Sequence, residues 1–217
     1  MKNNKPYTIR TIVVGDLGAN CYLFTENSSG KTLIIDPGSD ASVIAREIEA
    51  SALVPEAIVN THGHVDHIGA NGALKKKYKI PIYLHSQDAG AMDNAFVNGS
   101  VLIGPSVVSP AADVLVKEGD IISAGSLKLK VLHTPGHTPG GICLMNEELI
   151  FTGDTLFGGS IGRTDLHGGS DADMAASLKK LKGLAPQLAV FPGHGPATTI
   201  LEELSSNPFL NSDSGWN

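Results

Sequence analysis

The sequence predicts a layered α/β fold, with helices covering one face of each of two sheets. Three observations lead there. Short apolar runs rich in Val, Ile and Leu recur between Gly, Pro, Asn and Asp, as buried strands do. Segments with apolar residues at helical spacing interrupt them only a few times. The order then runs strands, helix, strand, helix, strand, followed by further strands with a helix, a strand and a helix. No linker, low-complexity tract or repeat divides the 217 residues, so 1–217 reads as a single domain with a short C-terminal tail from about residue 208.

TIVVG, CYLF and TLIID open the chain as strands. ASVIAREIEASA follows as a helix, with Asp40 as its N-cap and Val43, Ile44 and Ile48 on its apolar stripe. AIVN is the next strand, IGANGALKKKY the next helix and IYLH the strand after it. LKLKVLH alternates strictly: Leu127, Leu129 and Val131 face one way and Lys128 and Lys130 the other, so this strand has one wet face. GICLM and LIFTGD are strands. ADMAASLKKLKGL is a helix with Met174, Leu178 and Leu181 on one side and Asp171 as its cap. LAVFPGH is the last strand. TILEEL begins a helix with Thr199 and Glu202 at capping-box spacing. The Met and Leu positions of these helices are expected in the core.

Composition narrows the function classes. Apolar residues make up 41% and charged residues 18%, which argues against disorder. The net charge is −6 and no Lys/Arg block exceeds Lys75–Lys77, read as a solvated helix face, so nucleic-acid binding has no electrostatic footprint. No apolar run approaches the ~18–20 residues that cross a bilayer. MKNNKPYTIR lacks the apolar stretch of a secretory signal, so a cytoplasmic protein with no membrane partner is expected. Cys21 and Cys143 are too few for a disulfide framework and read as buried small side chains.

The chemistry lies where strands end. AIVN runs into THGHVDH, LKVLH into TPGH, LIF into TGD and LAVF into PGH. Loops at strand ends, held by a rigid scaffold, are where sites are built. Glycines beside these residues (Gly63, Gly136, Gly153, Gly193, Gly195) fit tight turns with close backbone approach. His62, His64, His67, His137 and His194 supply imidazoles, and Asp66 and Asp154 supply carboxylates. Such N and O donors suit Zn, Fe or Mn. Seven donors without a thiolate are too many for one tetrahedral ion. Two divalent ions ~3.5–4 Å apart, sharing a carboxylate and a water, would use them all. In an extended loop His62 and His64 point the same way and can reach one ion. Asp66 and His67, at the start of the next helix, can turn toward the second.

HxHxDH with these three further strand ends resembles the metallo-β-lactamase fold superfamily, from about Thr8 to Pro208. The resemblance implies a four-layer αββα sandwich with the site at one edge. It assigns His62, His64 and His137 to one ion and Asp66, His67 and His194 to the other, bridged by Asp154, with zinc first and iron or manganese as alternatives. ANCYLF, IIDPG, HTPGHTPG, TGDTLF, GSIGRTDL and FPGHGPAT together look like the glyoxalase II-like hydrolases, which cleave thioesters such as hydroxyacylglutathione. Larger members carry a C-terminal helical region with basic residues for glutathione. Here 23 residues follow His194, none of them Lys or Arg, so the chain resembles the short bacterial type ending in an NPFL segment, Asn207–Leu210. Another thiol carrier is therefore open.

The expected reaction is hydrolysis of a small-molecule thioester or ester. A water shared by the ions loses its proton and attacks the carbonyl carbon, with Asp66 orienting it or moving its proton. Persulfide dioxygenase, a mononuclear-iron enzyme, resembles the chain in the same donors and in GRTD and is the main rival. A lactonase or other esterase is a further option, and a metal-binding interaction module a remote one. Arg163 reads either as an anchor for a substrate anion or as a loop brace paired with Asp165. His133 lies beside the metal turn or is a satisfied strand histidine. His167 lines the substrate mouth or lies on the surface. Oligomeric state is not legible.

Overall fold

The computed structural model describes residues 5–104 and 106–211. Two six-stranded sheets face each other. The first runs in chain order through β1 (Tyr7–Val14), β2 (Ala19–Glu26), β3 (Lys31–Ile35), β4 (Val54–Val59), β5 (Ile82–His85) and β6 (Val114–Val116). The second contains β7 (Ile121–Ala124), β8 (Leu127–His133), β9 (Ile142–Met145), β10 (Leu149–Gly153), β13 (Ala189–Pro192) and β14 (Thr198–Thr199), in the spatial order β14-β13-β10-β9-β8-β7. A small hairpin, β11 (Leu156–Phe157) and β12 (Ser160–Ile161), follows β10. The helices are α1 (Ala41–Ala50), α2 (Val65–Ile68), α3 (Asn71–Tyr78), α4 (Asp171–Lys182), α5 (Ile200–Ser206) and α6 (Pro208–Asn211).

Period-two alternation builds the layers. On β2, Tyr22 and Phe24 join the core between the sheets, while Cys21 and Leu23 pack toward Ile44 and Ile48 of α1 and Leu74 of α3. On the second sheet Leu144 and Phe151 enter the shared core, while Cys143 and Ile150 meet Met174, Leu178 and Leu181 of α4. The result is the expected αββα sandwich. β2 is buried at every position because both its faces are covered. On β8, Leu127, Leu129 and Val131 are buried and Lys128 and Lys130 exposed, as the alternation requires.

The expected strands all form. β6, β7, β11, β12 and β14 were not foreseen; at two to four residues they are too short to show a period. Five local expectations are corrected. Asp40 is the N-cap of α1 but makes no side-chain cap: the backbone there is left-handed (φ 52°), and the carboxylate accepts from the Gly15 N–H at 2.8 Å instead. Val43 faces outward while Ile44 and Ile48 are buried, because the sheet meets a narrower stripe. The cap of α4 is Ser170, whose Oγ accepts from Asp173 N–H, and not Asp171, which is already helical. Thr199 caps α5 through Glu202 N–H, yet Leu201, expected in the core, is 57% exposed. Cys21 and Cys143 are buried free thiols on opposite helical sides. Pro208–Asn211, expected as the start of a tail, form α6 and bury Leu210 against α4 and α5. Among the described residues no helix is long and apolar enough to cross a membrane.

Candidate metal centre

β8, β10 and β13 run parallel, so their C-terminal ends lie along one edge of the second sheet. β4 ends opposite them. The turn after β4 carries His62 and His64, and α2 carries Asp66 and His67 on its first turn. His137 follows β8, Asp154 follows β10 directly, and His194 follows β13. A Cβ on Gly193 would lie 2.1 Å from Asp154 Oδ1 and 2.9 Å from His67 Cε1, so only glycine lets the β13 turn close on the cluster.

All seven sequence-predicted donors come together. Donor atoms within 4.8 Å of one another form three overlapping groups: His62, His64 and His137; His62, His67 and Asp154; Asp66, His67 and His194. Asp154 stands between the outer two groups. Its Oδ1 lies 3.4 Å from His67 Nε2, and its Oδ2 lies 3.4 Å from His137 Nε2 and 3.7 Å from His194 Nε2. Asp66 Oδ2 is 3.2 Å from His194 Nε2 and 3.7 Å from His67 Nε2.

The hydrogen bonds orient the imidazoles. His137 Nδ1–H donates to the Arg163 carbonyl at 2.7 Å, leaving Nε2 as a lone pair facing His64 Nδ1 at 2.8 Å. Thr61 Oγ1 donates to Asp36 and so receives His62 Nδ1–H at 3.1 Å, leaving His62 Nε2 free. Among the described residues, the buried side-chain N and O atoms without a hydrogen-bond partner are His62 Nε2, His67 Nδ1, His67 Nε2 and Asp154 Oδ1. Each such atom costs about 1–3 kcal/mol when nothing compensates it. Three of them, His62 Nε2, His67 Nε2 and Asp154 Oδ1, converge on one point, which fits a cation-binding centre of N and O donors, while His67 Nδ1 faces Asp36 at 3.2 Å.

The electrostatics agree. Burial pushes His62 well below its ordinary pKa, with His67 and His137 adding to the effect. Burial, then His137, pushes His64 down to about 3. Burial would also lower His67, but Asp66, Asp154 and Asp36 outweigh it and push this imidazole up to about 10. Asp66 would be raised by burial, yet His67 and His194 hold it well below the usual carboxylate range. Burial opposes the rise at His194, which Asp66 and Asp154 cause. The cluster thus keeps two imidazoles neutral and surrounds a third with carboxylates, an environment that gathers positive charge.

The remaining candidates separate. Arg163 forms a two-pronged pair with Asp165 at 2.6 and 2.7 Å, which is the brace reading, and the residue also borders the cavity over the donors. His133 does not touch the cluster; its Nε2 lies 2.9 Å from the Pro139 carbonyl oxygen and its ring stacks on His85 at 4.1 Å. His167 is exposed, edge-on to Phe96.

Sequence reasoning missed the residues that hold the donor loops. Asp36, at the end of β3, accepts from Thr61 N–H and Oγ1 and lies 3.2 Å from His67 Nδ1. Asp88 accepts from Gly63 N–H, Thr138 Oγ1 and Gly140 N–H, tying the His64 turn to the His137 turn; burial raises its carboxyl against these bonds. Asn20 donates to the carbonyls of Pro192 and Gly195, and Tyr22 to that of Pro192, fixing the His194 turn. The signal available was a polar residue inside or ending an apolar run. Asp36 stands in the IIDPG stretch and Asn20 before CYLF.

A cavity of about 450 Å³ opens over the cluster, lined by His64, Asp66, His137, Asp154 and His194 with Leu17, Leu102 and Ile103 at its rim.

The sequence model of the Metallo-beta-lactamase superfamily matches residues 14–194. The chain is 40% identical over 206 residues to the Bacillus subtilis "Probable metallo-hydrolase YqgX", covering 93% of this chain and 97% of that one. It is 35% identical over 211 residues to the Haemophilus influenzae "Hydroxyacylglutathione hydrolase GloC", covering 95% and 99%. Among solved structures it is similar to BLEG-1 B3 metallo-beta-lactamase (TM-score 0.91, 37% identity, 94% of this chain and 100% of that one). It is also similar to TTHA1623 in a di-iron-bound form (0.83, 36%, 93% and 100%). ETHE1 from Myxococcus xanthus follows (0.79, 27%, 95% and 86%).

Proposed function

The chain belongs to the metallo-β-lactamase superfamily, and from that premise we propose that it is a metal-dependent hydrolase of a small thioester, with hydroxyacylglutathione the first substrate to test. The observation that carries this reading is the convergence of unpartnered buried donors, His62 Nε2, His67 Nε2 and Asp154 Oδ1, beneath an open cavity. His62, His64 and His137 would hold one divalent ion and Asp66, His67 and His194 a second, with Asp154 between them. Zinc is the first choice and iron or manganese the alternatives, since N and O donors accept all three. Bound there, such ions would lower the pKa of a bound water toward about 7 and polarise a carbonyl oxygen.

The chain's own residues supply the rest. Asp66 borders the cavity and its carboxylate stays ionised, so it can accept a hydrogen bond from the attacking water and orient it. Asp36 and the Arg163 carbonyl fix the rings of His67 and His137, so no reorganisation is needed as charge develops. A thiolate leaves without acid assistance, which suits a cavity whose histidines face the donor cluster. The same attack opens an ester or a β-lactam, and the likeness to BLEG-1 puts a β-lactam in the assay panel.

A second reading, persulfide dioxygenase, is favoured by the likeness to ETHE1. Elemental analysis of protein purified without chelator, followed by metal add-back and assay, separates the two. About two zinc or manganese ions per chain with thioester cleavage supports the hydrolase. About one iron per chain, with oxygen uptake on a glutathione persulfide and no hydrolysis, overturns it.

A further inference from the structure

A second cavity, of about 370 Å³, adjoins the donor cavity, and apart from Asp66 the hydrolytic reading uses none of its lining. It is bounded by the β1–β2 turn, the segment before α1, and the α2–α3 face. Its walls are mainly apolar: Val14, Leu17, Val65, Ala70, Ala73 and Ile103. Leu17, Val65, Asp66 and Ile103 border both cavities, so the second one begins at a residue of the donor cluster. Leu17 and Ile103, which stand between the two, are 51% and 56% exposed, so neither is locked in a packed core.

Charge limits what can enter. Among the described residues lining the two cavities, Arg163 is the one Lys or Arg, and it is closed on Asp165. The second cavity carries Asp16 and Asp40 at its border, and the Asp40 carboxylate is held toward the β1–β2 turn by Gly15 N–H. A carboxylate or phosphate would meet repulsion there and find no cation. An uncharged hydrocarbon chain would bury apolar surface against the six side chains.

We propose that this cavity is the acyl pocket of the enzyme and that the substrate's acyl group is an unbranched, uncharged hydrocarbon chain longer than a lactoyl group. The proposal rests on the hydrolase reading for its reaction, but the pocket's preference for a hydrocarbon chain stands on its own geometry. The scissile carbonyl lies over the donor cluster, and the chain passes Leu17 and Ile103 into the space beside Ala73.

The test is an acyl chain-length series from acetyl to octanoyl on one neutral thiol, with S-lactoylglutathione alongside, on metal-loaded protein. Each buried methylene is expected to raise kcat/KM about three- to fourfold until the pocket is full. Ala73→Trp on α3 and Ala41→Trp on α1 narrow the pocket from two different helices, and neither residue is among the grouped donors. Both are expected to flatten the series. In parallel, binding of the ketone isosteres, with CH2 in place of sulfur, is measured by calorimetry on metal-loaded and metal-free protein. Affinity that rises with chain length in the parent and not in the tryptophan variants supports the pocket. A flat series in the parent, or one that survives both variants, overturns it. If no ester or thioester is cleaved at all, the hydrolase reading fails, and the calorimetric series still decides the pocket.

Discussion

Asp36 and His67 meet side chain to side chain beneath the donor cluster, with His67 Nδ1 3.2 Å from Asp36 Oδ2 while His67 Nε2 faces Asp66 and Asp154. Asp36 also anchors Thr61, so one carboxylate fixes both the ring and the turn before it. Asp36→Asn is expected to weaken metal binding by about 10- to 100-fold with the fold retained. Competition with a chromophoric chelator measures this. Unchanged affinity would show that the pair does not orient the ring.

Asp154 lies between the two proposed halves of the centre, 3.4 Å from His67 Nε2 by one oxygen and from His137 Nε2 by the other. Asp154→Ala is expected to abolish both bound metal and activity. Metal per chain and turnover are read on the same sample; retained metal with full activity would overturn the assignment.

Gly38 lies against the backbone of α2: a Cβ there would sit 1.4 Å from the Asp66 carbonyl oxygen. Gly38→Ala must push α2 away and carry Asp66 and His67 with it. A loss of about 3 kcal/mol, at the upper end for overpacking, and a fall in metal content are expected. Gly90→Ala, where the added Cβ meets nothing within 4 Å, serves as the control in the same thermal melts.

Glu26, at the end of β2, joins the two sheets by accepting from Ser126 N–H at 2.7 Å and from the Ser126 and Ser29 hydroxyls. These bonds, the Ser126 hydroxyl first, lower its pKa from 4.5 to about 2. The folded value lies below the unfolded one, so the stabilisation is present above about pH 4.5 and fades as pH falls toward 2. Urea unfolding across that window is expected to show a shallower pH dependence in Glu26→Gln than in the parent. Equal slopes would remove Glu26 from the acid response.

Much of this was legible along the chain because burial leaves a local period. Leu127, Leu129 and Val131 declared the inner face of β8, and the helix at Met174, Leu178 and Leu181 showed its buried side. The donors were legible because each follows an apolar run, where a His or Asp has no packing reason to stand. Caps were less so: Ser170 and Asp171 are neighbours of similar propensity, and the backbone's entry angle chose between them.

The sequence by itself determined nine of the strands, the layered class and the seven candidate donor residues, because side-chain chemistry and two-residue or helical periodicity are properties of neighbours. Only the tertiary structure decided that the end of β4 meets those of β8, β10 and β13. It alone set Asp36 against His67, Asp88 across two turns, and an apolar cavity beside Asp66. Those relations join residues far apart in the chain, and their energy depends on distance, angle and burial, none of which a local pattern carries.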